Sequence, residues 1–399
     1  MHIEDLSLEE DWSVIESLLP EGWQKKCKEL KAYQLNRAFN GPGDLLRTLL
    51  VHCADGHSFR VTAALAEEGG LATLSDVALN KRLRLASDWL RWLSEGVTQK
   101  WLARANAEDC ATTMCVKVAD ATTVQEPGSK GTSWRIHYSL ELSSLRCNEV
   151  TITGKERGES FKNFTIEEGD LWMGDRAYAN APGIHHVVSN GGDVMVRARW
   201  NGLQLYDEQG NRIDLIGYLR QLRLHEVGDL PVFIANDEDF IAGRICAVRK
   251  SLSATNRERE RILKEASRKC RKVKPQTLEA AGYTFVFTTL DQSIPAETVL
   301  TIYRARWQIE LMFKRLKSLL GLGHLHNKNP ESAKAWLHGK LLAACLIEAL
   351  VVVSDHFSPW GYLLGAKTPL LEKHLEGDPT HVPILPASHI AGESVALTT

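Results

Sequence analysis

The chain has 399 residues, of which 44% are hydrophobic and 25% are charged, and its formal net charge at pH 7 is −2. This composition excludes a disordered chain, a collagen and a small disulfide-stabilised protein. At roughly 100–200 residues per domain, the length predicts two or three structural units. The charge is uneven, because residues 1–30 carry −5, residues 249–274 carry +8 and residues 301–320 carry +4. The near-neutral total therefore conceals two basic segments that suit a polyanionic partner.

The cysteine pattern and the apolar runs bear on the cellular compartment. The eight cysteines include no Cys-x-x-Cys pair, which is typical of reduced thiols in a cytosolic protein. The acidic N-terminus shows no signal-peptide pattern. The longest apolar run, Leu341 to Val353, has 13 residues and contains Glu348. It predicts a buried helix and no membrane span.

Residues 1–105 are predicted to be helical, because apolar residues recur there at spacings of three and four. A glycine turn at Gly69 and Gly70 precedes a polar helix start and a basic helix. This pattern fits a DNA-reading helix-turn-helix, and it equally fits a helical bundle with a solvated basic edge. The basic residues of that helix are Lys81, Arg82 and Arg84.

From residue 111 onward the pattern changes to short apolar or alternating runs that are typical of strands. The predicted strands are Met114–Ala119, Tyr138–Leu142, Glu149–Thr153, Leu171–Gly174, Val194–Arg199, Leu230–Ile234, Gly243–Val248 and Tyr283–Thr289. A basic helix is predicted over residues 256–274 and a long helix from Ala296 to Leu320. Residues 356–399 hold five of the thirteen prolines and are predicted to form an irregular tail.

Four polar residues share one face of the predicted long helix: Tyr303, Arg306, Glu310 and Lys317. At about 100° per residue, they fall within a stripe of about 60°. A solvated helix face is the ordinary explanation for charged residues, but a tyrosine is not typical of such a face. Glu310 is also the only acid among five cations in residues 301–320. The stripe therefore also fits a metal-binding carboxylate surrounded by phosphate-binding groups.

Two aspartates end predicted apolar strands. Asp120 follows the run that begins at Met114, and Asp175 follows Leu-Trp-Met-Gly. A buried carboxylate at a strand end must be solvated, capped or bound to a cation. For one such aspartate, a turn or a cap is the simpler explanation. The pair, together with Glu310 on a cation-rich helix, favours catalysis.

Three separated carboxylates suit phosphodiester cleavage. Two Mg²⁺ ions about 3.5–4 Å apart can activate the nucleophile, stabilise charge on the phosphate oxygens and support the leaving oxygen. Mg²⁺ is a hard ion that prefers carboxylate oxygens, and Mn²⁺ can substitute for it. We expect Asp120 to bridge both metal ions, Asp175 to bind one and Glu310 to bind the other.

Tyr303, Arg306, Glu310 and Lys317 match a known signature, Tyr-x2-Arg-x3-Glu-x6-Lys, at every position. Through it the chain resembles the bacterial insertion-sequence transposases of the DDE, RNase H-like class, over roughly residues 70–350. Three further segments look like the surroundings of this family's first and second catalytic aspartates: Asp120-Ala-Thr-Thr, Trp134–Tyr138 and Gly174-Asp175-Arg-Ala-Tyr178.

The resemblance implies an α/β fold, in which a β-rich insertion domain interrupts an RNase H-like mixed-sheet catalytic core that follows an N-terminal helical domain. Asp120 would lie on the first strand, Asp175 on or just after the fourth, and Glu310 on a late helix. The implied parts are residues 1–105 for the N-terminal helical DNA-binding domain, 111–189 for the first part of the core, 190–282 for the insertion domain, 283–355 for the second part of the core and 356–399 for the C-terminal tail.

The resemblance also implies a function, namely that of a transposase and endonuclease encoded by a mobile insertion sequence. It would bind the inverted-repeat ends, cleave them by two-metal hydrolysis and join the 3′-hydroxyl ends to target DNA by cut-and-paste transposition. We expect a homodimer or larger oligomer on DNA, acting in the cytoplasm at the nucleoid, with no membrane partner. Tyr303, Arg306 and Lys317 would bind DNA phosphates near the cleaved end. Trp200 would stack on an extruded base, although it also fits a core or surface position.

Other functions remain open at this point. The chain could be an inactive or regulatory DNA-binding derivative of such a transposase, a nuclease of the same fold without a joining step, or an unrelated α/β protein. The basic stretch from Arg257 to Lys274 either contacts DNA or forms a solvated helix, because three glutamates are interspersed in it.

Overall fold

The structure is a computed structural model that describes residues 8–34, 38–103, 114–128, 133–236, 239–319, 321–322, 325 and 329–356. Residues through Leu350 belong to one compact unit, and the described part of the second unit, Val351–Thr399, is the end of a helix. The predicted tail over 356–399 lies almost entirely outside the described residues.

Six α-helices form the described N-terminal part, and they end in one π-helical turn, Thr98–Ala103. The polar start predicted before the basic helix is present, because the Ser75 hydroxyl caps that helix by accepting from the amide of Ala78. The Ser58 hydroxyl caps the preceding helix in the same way by accepting from the amide of Val61. The helical prediction is confirmed for the described residues. The helices are α1 Leu8–Leu18, α2 Trp23–Glu29, α3 Pro42–Asp55, α4 Phe59–Glu68, α5 Asp76–Leu85 and α6 Ser87–Val97.

Nine strands of the described chain form one mixed sheet in the order β3-β2-β1-β4-β5-β9-β8-β7-β6. The strands are β1 Cys115–Val124, β2 Trp134–Glu141, β3 Arg146–Gly154, β4 Asp170–Gly174, β5 Asp193–Arg197, β6 Leu205–Tyr206, β7 Val227–Asn236, β8 Asp239–Arg249 and β9 Tyr283–Thr288. β1 is antiparallel to β2 and parallel to β4, and β5 is parallel to β4 and antiparallel to β9. The expected α/β class is therefore confirmed.

β1 extends further than the sequence predicts. We expected the strand to stop before Asp120, yet it continues to Val124. The reason is its antiparallel neighbour: β2 keeps pairing with β1 as far as Val124 opposite Trp134, whereas the parallel pairing with β4 ends near Met173. Asp120 therefore lies inside a strand, at the point where one neighbour ends and the other continues.

The strands between residues 205 and 249 continue the same sheet. β8 pairs with β9, β7 with β8, and the two-residue β6 with β7. The helices that accompany this part are α7 Ala181–Ser189, α8 Leu215–Gln221, α9 Leu252–Arg268 and α10 Pro275–Ala280. At the opposite border, β3 packs against the π-helical turn Thr98–Ala103.

The long helix predicted from Ala296 to Leu320 is wrong in one respect, because it is broken. α11, Ala296–Arg304, ends before Arg306, and α12, Trp307–Leu319, begins after it. At the break, the amide of Arg306 bonds back only three residues, to the carbonyl of Tyr303 at 3.2 Å. α11 packs against β7, β8 and β9, whereas α12 packs against β1. The break lets the two halves meet different parts of the sheet, so the single 60° stripe does not exist as predicted.

The last described helix, α13 Pro330–His356, contains the apolar run noted in the sequence. Its Glu348 accepts from the Tyr138 hydroxyl at 3.4 Å and from the amide of Cys147 at 3.5 Å, which explains a carboxylate in an apolar run. Within the described residues, the segment Pro330–Val353 is long and apolar enough to span a membrane. Most of it is buried, as in the core helix of a globular protein.

Gly339 of α13 lies against Cys53 of α3, and a Cβ at position 339 would lie 2.9 Å from the Cys53 Cβ and closer still to its sulfur. We expect Gly339→Ala to lower the free energy of unfolding by about 1–3 kcal/mol, because overpacking outweighs the better helix propensity of alanine. Urea denaturation measures this change.

The matched control for Gly339→Ala is Gly43→Ala in α3, where the nearest atom to a new Cβ is 3.7 Å away. This variant should keep or slightly raise the stability, since alanine restricts the unfolded chain. Equal stability of the two variants would contradict the close approach of α3 and α13.

Candidate active site

The parallel pairing of β1 and β4 brings two of the predicted acids together. The register places Val118 opposite Met173, and Asp120 and Asp175 each follow two residues later in the chain. The charge of Asp175 acts on Asp120, so the two carboxyls are near each other. Neighbouring strands are about 4.8 Å apart. Two residues separated by 55 positions in the sequence are therefore adjacent at one end of the sheet.

Asp175 lies in a tight turn directly after β4. Its Oδ1 accepts from the amide of Ala177 at 2.7 Å, and its main-chain carbonyl accepts from the amide of Tyr178 at 3.2 Å. Gly174 before it has no room for a side chain, because a Cβ there would lie 2.6 Å from the Tyr178 Cβ and 3.0 Å from Phe161. The turn thus holds the Asp175 carboxylate in one orientation.

The proximity of Asp175 affects the pKa of the Asp120 carboxyl. Its Oδ1 accepts from the amide of Ala121 at 2.8 Å. Burial, joined by the charge of Asp175, raises the pKa of Asp120 from 3.8 to about 7, although the Ala121 bond and the charge of Arg306 act against the rise. A buried carboxyl whose ionisation is opposed by burial and by a neighbouring carboxylate would bind a cation favourably.

A further carboxylate, Glu159, lies in the same electrostatic environment and was not found from the sequence. Burial and then the charge of Asp175 raise the pKa of Glu159, and Arg135 lies 3.9 Å away from it. Glu159 follows no strand and belongs to no motif, so nothing in the sequence around it indicated a site.

Buried charges also fix the start of the β1–β4 pairing. The Lys117 ammonium, which is only 4% exposed as a residue, contacts Asp170 at 2.8 Å and Glu167 at 3.0 Å. Asp170 also accepts from the amide of Glu167 at 3.0 Å and from the Trp172 indole at 3.2 Å. These bonds tie the first residue of β4 to the third residue of β1, three residues before Asp120.

Glu310 is on α12, and its side chain is 59% exposed. It forms an ion pair with Arg306, which lies in the helix break. Glu310 and Asp120 both line a pocket of about 540 Å³. Its lining residues are Asp120, Ala121, Thr122, Glu310, Phe313, Lys314 and Lys317.

Tyr303 is placed differently from the other residues of the signature. Only 8% of it is exposed, and its hydroxyl donates to the carbonyl of Gly174 at 3.1 Å. Burial raises the pKa of Tyr303 to about 12. Of the four signature residues, Glu310 and Lys317 line the pocket, Arg306 pairs with Glu310, and Tyr303 is turned toward β4.

Trp200 is half-buried, and its indole donates to the Thr277 hydroxyl at 3.2 Å. The Lys274 ammonium lies 6.0 Å from the centre of its ring. Trp200 is not part of the lining of the 540 Å³ pocket. Its stacking on an extruded base remains a prediction.

A group of cations surrounds Arg176, the residue after Asp175, and the sequence predicted only the part of it that lies on the basic helix. Burial, joined by the charge of Arg197, lowers the pKa of Lys250 to about 8, and Arg176 is affected in the same direction by burial and by Arg197. On α9, Arg261 forms an ion pair with Glu258 at 2.8 Å. The predicted basic helix is therefore partly neutralised by its own glutamates, yet its start faces other cations.

The side chains around Asp120 supply only part of the ligand set that a divalent cation needs. Asp120 and Asp175 offer hard oxygen ligands beside each other. Among the described residues, however, no group of three His, Cys, Asp or Glu side chains is close enough to hold a metal ion. A third ligand from Glu310 would require the Arg306 ion pair to open. The three-carboxylate metal site thus stays a prediction.

Comparison with known proteins decides the family. The family described as Transposase DDE domain matches residues 153–346, a range that includes Asp175 and Glu310. The putative transposase InsL for insertion sequence element IS186A of Escherichia coli K12 is 34% identical over 359 residues, which cover 88% of this chain and 96% of that protein. The chain belongs to the DDE insertion-sequence transposases.

Other relatives extend this similarity among transposases. The transposase for insertion sequence element IS421 of Escherichia coli is 34% identical over 360 residues, with the same coverage of 88% and 96%. The transposase for IS231F of Bacillus thuringiensis subsp. israelensis is 23% identical over 263 residues, which cover 58% of this chain and 55% of that protein. As a DDE transposase, the protein is an enzyme of DNA transposition, and its family generally uses divalent metal ions.

Proposed function

We propose that this transposase binds the inverted-repeat ends of its element, cleaves phosphodiester bonds there and joins the 3′-hydroxyl ends to target DNA by cut-and-paste transposition. The observation that carries the proposal is the parallel pairing of β1 with β4, together with the effect of the Asp175 charge on Asp120 just beyond the last paired residues. It would act in the cytoplasm at the nucleoid, as a homodimer or larger oligomer on DNA, because two ends must be handled together.

We also propose that the fold is RNase H-like, with the domain boundaries given by the sequence. Three features support this assignment: Asp120 lies on β1, Asp175 follows β4 directly, and Glu310 lies on the late helix α12. The strands of residues 205–249 are the candidate insertion domain. Since they extend the central sheet through β9, the insertion would share one sheet with the core.

In this proposal, Asp120, Asp175 and Glu310 hold two Mg²⁺ ions, or Mn²⁺ in their place. When bound, the ions supply charge stabilisation of the phosphate oxygens and activation of water. The chain itself contributes the orientation: Ala177 fixes the Asp175 carboxylate, and Ala121 fixes that of Asp120. Lys314 and Lys317 at the pocket are candidate contacts for the DNA backbone.

One observation favours a second candidate, an inactive or regulatory DNA-binding derivative. The ion pair with Arg306 occupies the Glu310 carboxylate. A chain in which this pair never opens would bind element ends without cutting them.

The test uses the purified full chain and a supercoiled plasmid that carries the DNA bordering its gene on both sides. With Mg²⁺ or Mn²⁺, wild-type protein should nick this plasmid and yield joined products, and a chelator should stop both reactions. Glu310→Gln should abolish nicking, whereas Glu297→Gln, an exposed acid on α11, should leave it unchanged. Gel electrophoresis of the plasmid reports both reactions.

Three outcomes would decide against the proposal. Retained nicking by Glu310→Gln would contradict the metal assignment. Binding of the plasmid without any cutting by wild-type protein would support the DNA-binding derivative. Cutting without joined products would indicate a nuclease that lacks the joining step.

A further inference from the structure

The outer half of the basic helix α9 is exposed, and packing does not explain its sequence. Only Thr255, near the start of the helix, is buried, at 7% exposure. From Leu263 to Lys272, every residue is exposed except the half-buried Ala266. Helices in proteins are usually stabilised by burying an apolar face. Within the described residues, the outer half of α9 buries no such face, so another role must account for it.

The start of α9 is anchored beside the cations of the candidate site. The amide of Lys250, just before the helix, donates to the carbonyl of Gly282 at 2.8 Å. The charges of Arg197 and Arg176 act on the Lys250 ammonium. Arg176 directly follows Asp175. α9 therefore starts next to the proposed cleavage site, and its exposed half follows.

The acids of α9 neutralise only part of its positive charge. Glu258 pairs with Arg261 at 2.8 Å, and Glu265 pairs with Lys269 at 2.6 Å. Residues 266–278 then contain five Lys or Arg and no acid. We call these five residues the basic tip: Arg268, Lys269, Arg271, Lys272 and Lys274.

The turn that ends α9 makes the basic tip compact. The amide of Arg271 donates to the carbonyl of Ala266 at 2.9 Å, and Cys270 has a left-handed backbone with a φ of 48°. This is a Schellman turn, which redirects the chain directly after a helix. The helix dipole favours cations in the last turn of α9, but its effect falls off beyond that turn. It does not account for Arg271, Lys272 and Lys274, which come after the helix.

The basic tip and the cations at the start of α9 are separated by a distance that one DNA duplex can span. Thr255 and Arg268 lie on the same helix, so at 1.5 Å per residue the basic tip is about 20 Å from the anchored start. Each strand of DNA carries one phosphate per 3.4 Å of axis, so this distance corresponds to about six base pairs. A duplex that meets the cations around Arg176 is therefore long enough to reach the basic tip.

We propose that the basic tip binds the phosphate backbone of the DNA duplex that carries the cleaved bond, about six base pairs from that bond. This inference rests on the proposed function, and it adds a contact that holds the substrate duplex independently of its sequence. Exposed cations without neighbouring acids are complementary to a polyanion, and DNA is the polyanion on which a transposase acts.

The experiment uses the full chain and compares wild-type protein with the tip variant Arg271→Gln/Lys272→Gln. The matched control is Arg212→Gln/Arg223→Gln, which removes the same charge from two exposed residues that follow β6 and α8. Fluorescence anisotropy measures the affinity for a duplex taken from the DNA bordering the gene, in a chelator and at several salt concentrations. Circular dichroism verifies that both variants are folded.

The tip variant should bind this duplex about tenfold more weakly near 0.1 M salt. The slope of log affinity against log salt should become shallower by about 1–2, because each lost phosphate contact releases about one counterion fewer. The control should stay within about twofold of wild type. Equal losses in both variants would indicate a general effect of net charge and would overturn the proposal, as would a tip variant that binds like wild type.

The length of the duplex tests the position of the contact. When the duplex is shortened stepwise from one side, the difference between tip variant and wild type should disappear. Equal shortening from the other side should leave the difference in place. A defect that persists however the duplex is shortened contradicts a contact at a fixed distance from the site.

Binding in a chelator needs no cleavage, so it separates this proposal from the proposed function. If wild-type protein cleaves nothing but the tip variant shows the one-sided defect, only the proposed function fails. Two other partners of the basic tip would give different results, and either would overturn the proposal. If the tip binds target DNA, the tip variant should bind the border duplex normally and yield fewer joined products. If the tip binds a second copy of the chain, the variant should change the sedimentation of the DNA-free protein.

Discussion

Asp120→Asn is expected to abolish strand cleavage and, at the same time, to stabilise the metal-free protein. The rate should fall by about 10³-fold or more, because a neutral amide cannot contribute the several kcal/mol of charge stabilisation that a metal–carboxylate site supplies. The stability should rise because burial and the charge of Asp175 oppose ionisation of Asp120 in the folded chain. If Asp120 is catalytic, as proposed, such a cost to folding is typical of active sites.

The raised pKa of Asp120 makes the stability of the protein depend on pH. Asp120 has a pKa of about 7 in the folded chain against 3.8 ordinarily, so the folded state keeps its proton longer than the unfolded state. The stability of wild-type protein should therefore fall as the pH rises from about 4 to about 7. Above that range, Asp120→Asn should be more stable by about 2 kcal/mol, a value that allows for the partial exposure of the carboxyl.

Thermal melting in a chelator at pH 5 and pH 8 measures this difference, and a plasmid-nicking assay measures the rate. The control is Asp193→Asn at the first residue of β5, where the side chain accepts from the Thr289 hydroxyl at 2.6 Å and lies at the other end of its strand from the site. That variant should keep its activity within about threefold. If Asp120→Asn cleaves normally, or melts lower at pH 8 than wild type, the crowding of Asp120 and Asp175 is not real.

Lys117→Met is expected to cost about 3 kcal/mol or more of unfolding free energy, the largest effect on stability that we anticipate. Burial alone would lower the pKa of Lys117, yet the bonds and charges of Asp170 and Glu167 raise it overall. Removing the ammonium would leave the buried Asp170 carboxylate with neutral donors only. Removing one partner of a buried ion pair lowers the unfolding free energy by more than the intact pair contributes, because the other charge stays buried without an opposite charge.

A double-mutant cycle tests this origin of the effect. Asp170→Asn keeps an acceptor for the Trp172 indole and the Glu167 amide but removes the charge, so adding it to Lys117→Met should recover at least about 1 kcal/mol. Lys25→Met is the surface control, since the Lys25 side chain is 85% exposed and lies 4.0 Å from Glu29. It should change the free energy of unfolding by less than about 0.5 kcal/mol in urea denaturation. Additive costs in the cycle would exclude a buried ion pair.

The sequence predicted much of the order of elements, because the signals involved are local. Alternating and apolar runs located eight of the nine strands in the described part of the chain, and the polar residues before the basic helix located the start of α5. Asp120 and Asp175 were found because carboxylates are costly next to apolar strands. Their adjacency then followed from a parallel pairing that neither segment shows alone.

Other features depend on tertiary packing and could not be predicted from local sequence patterns. The periodicity of residues 296–320 is that of one helix, but α11 and α12 pack on different parts of the sheet, so the chain breaks at Ala305 and Arg306. The orientation of Tyr303 depends on Gly174, which is 129 residues earlier in the chain. Glu159 is close to Asp175 only through the fold. No local pattern contains such information.

The two edge strands of the nine-stranded sheet bear on how copies of the protein could associate. One border strand, β6, has only two residues, and the other, β3, contacts the turn Thr98–Ala103. Exposed strand edges are the usual template for joining two chains by backbone pairing. If copies of this transposase assemble on two DNA ends, as proposed, we expect them to contact each other through side chains and shared DNA, and not by extending each other's sheets.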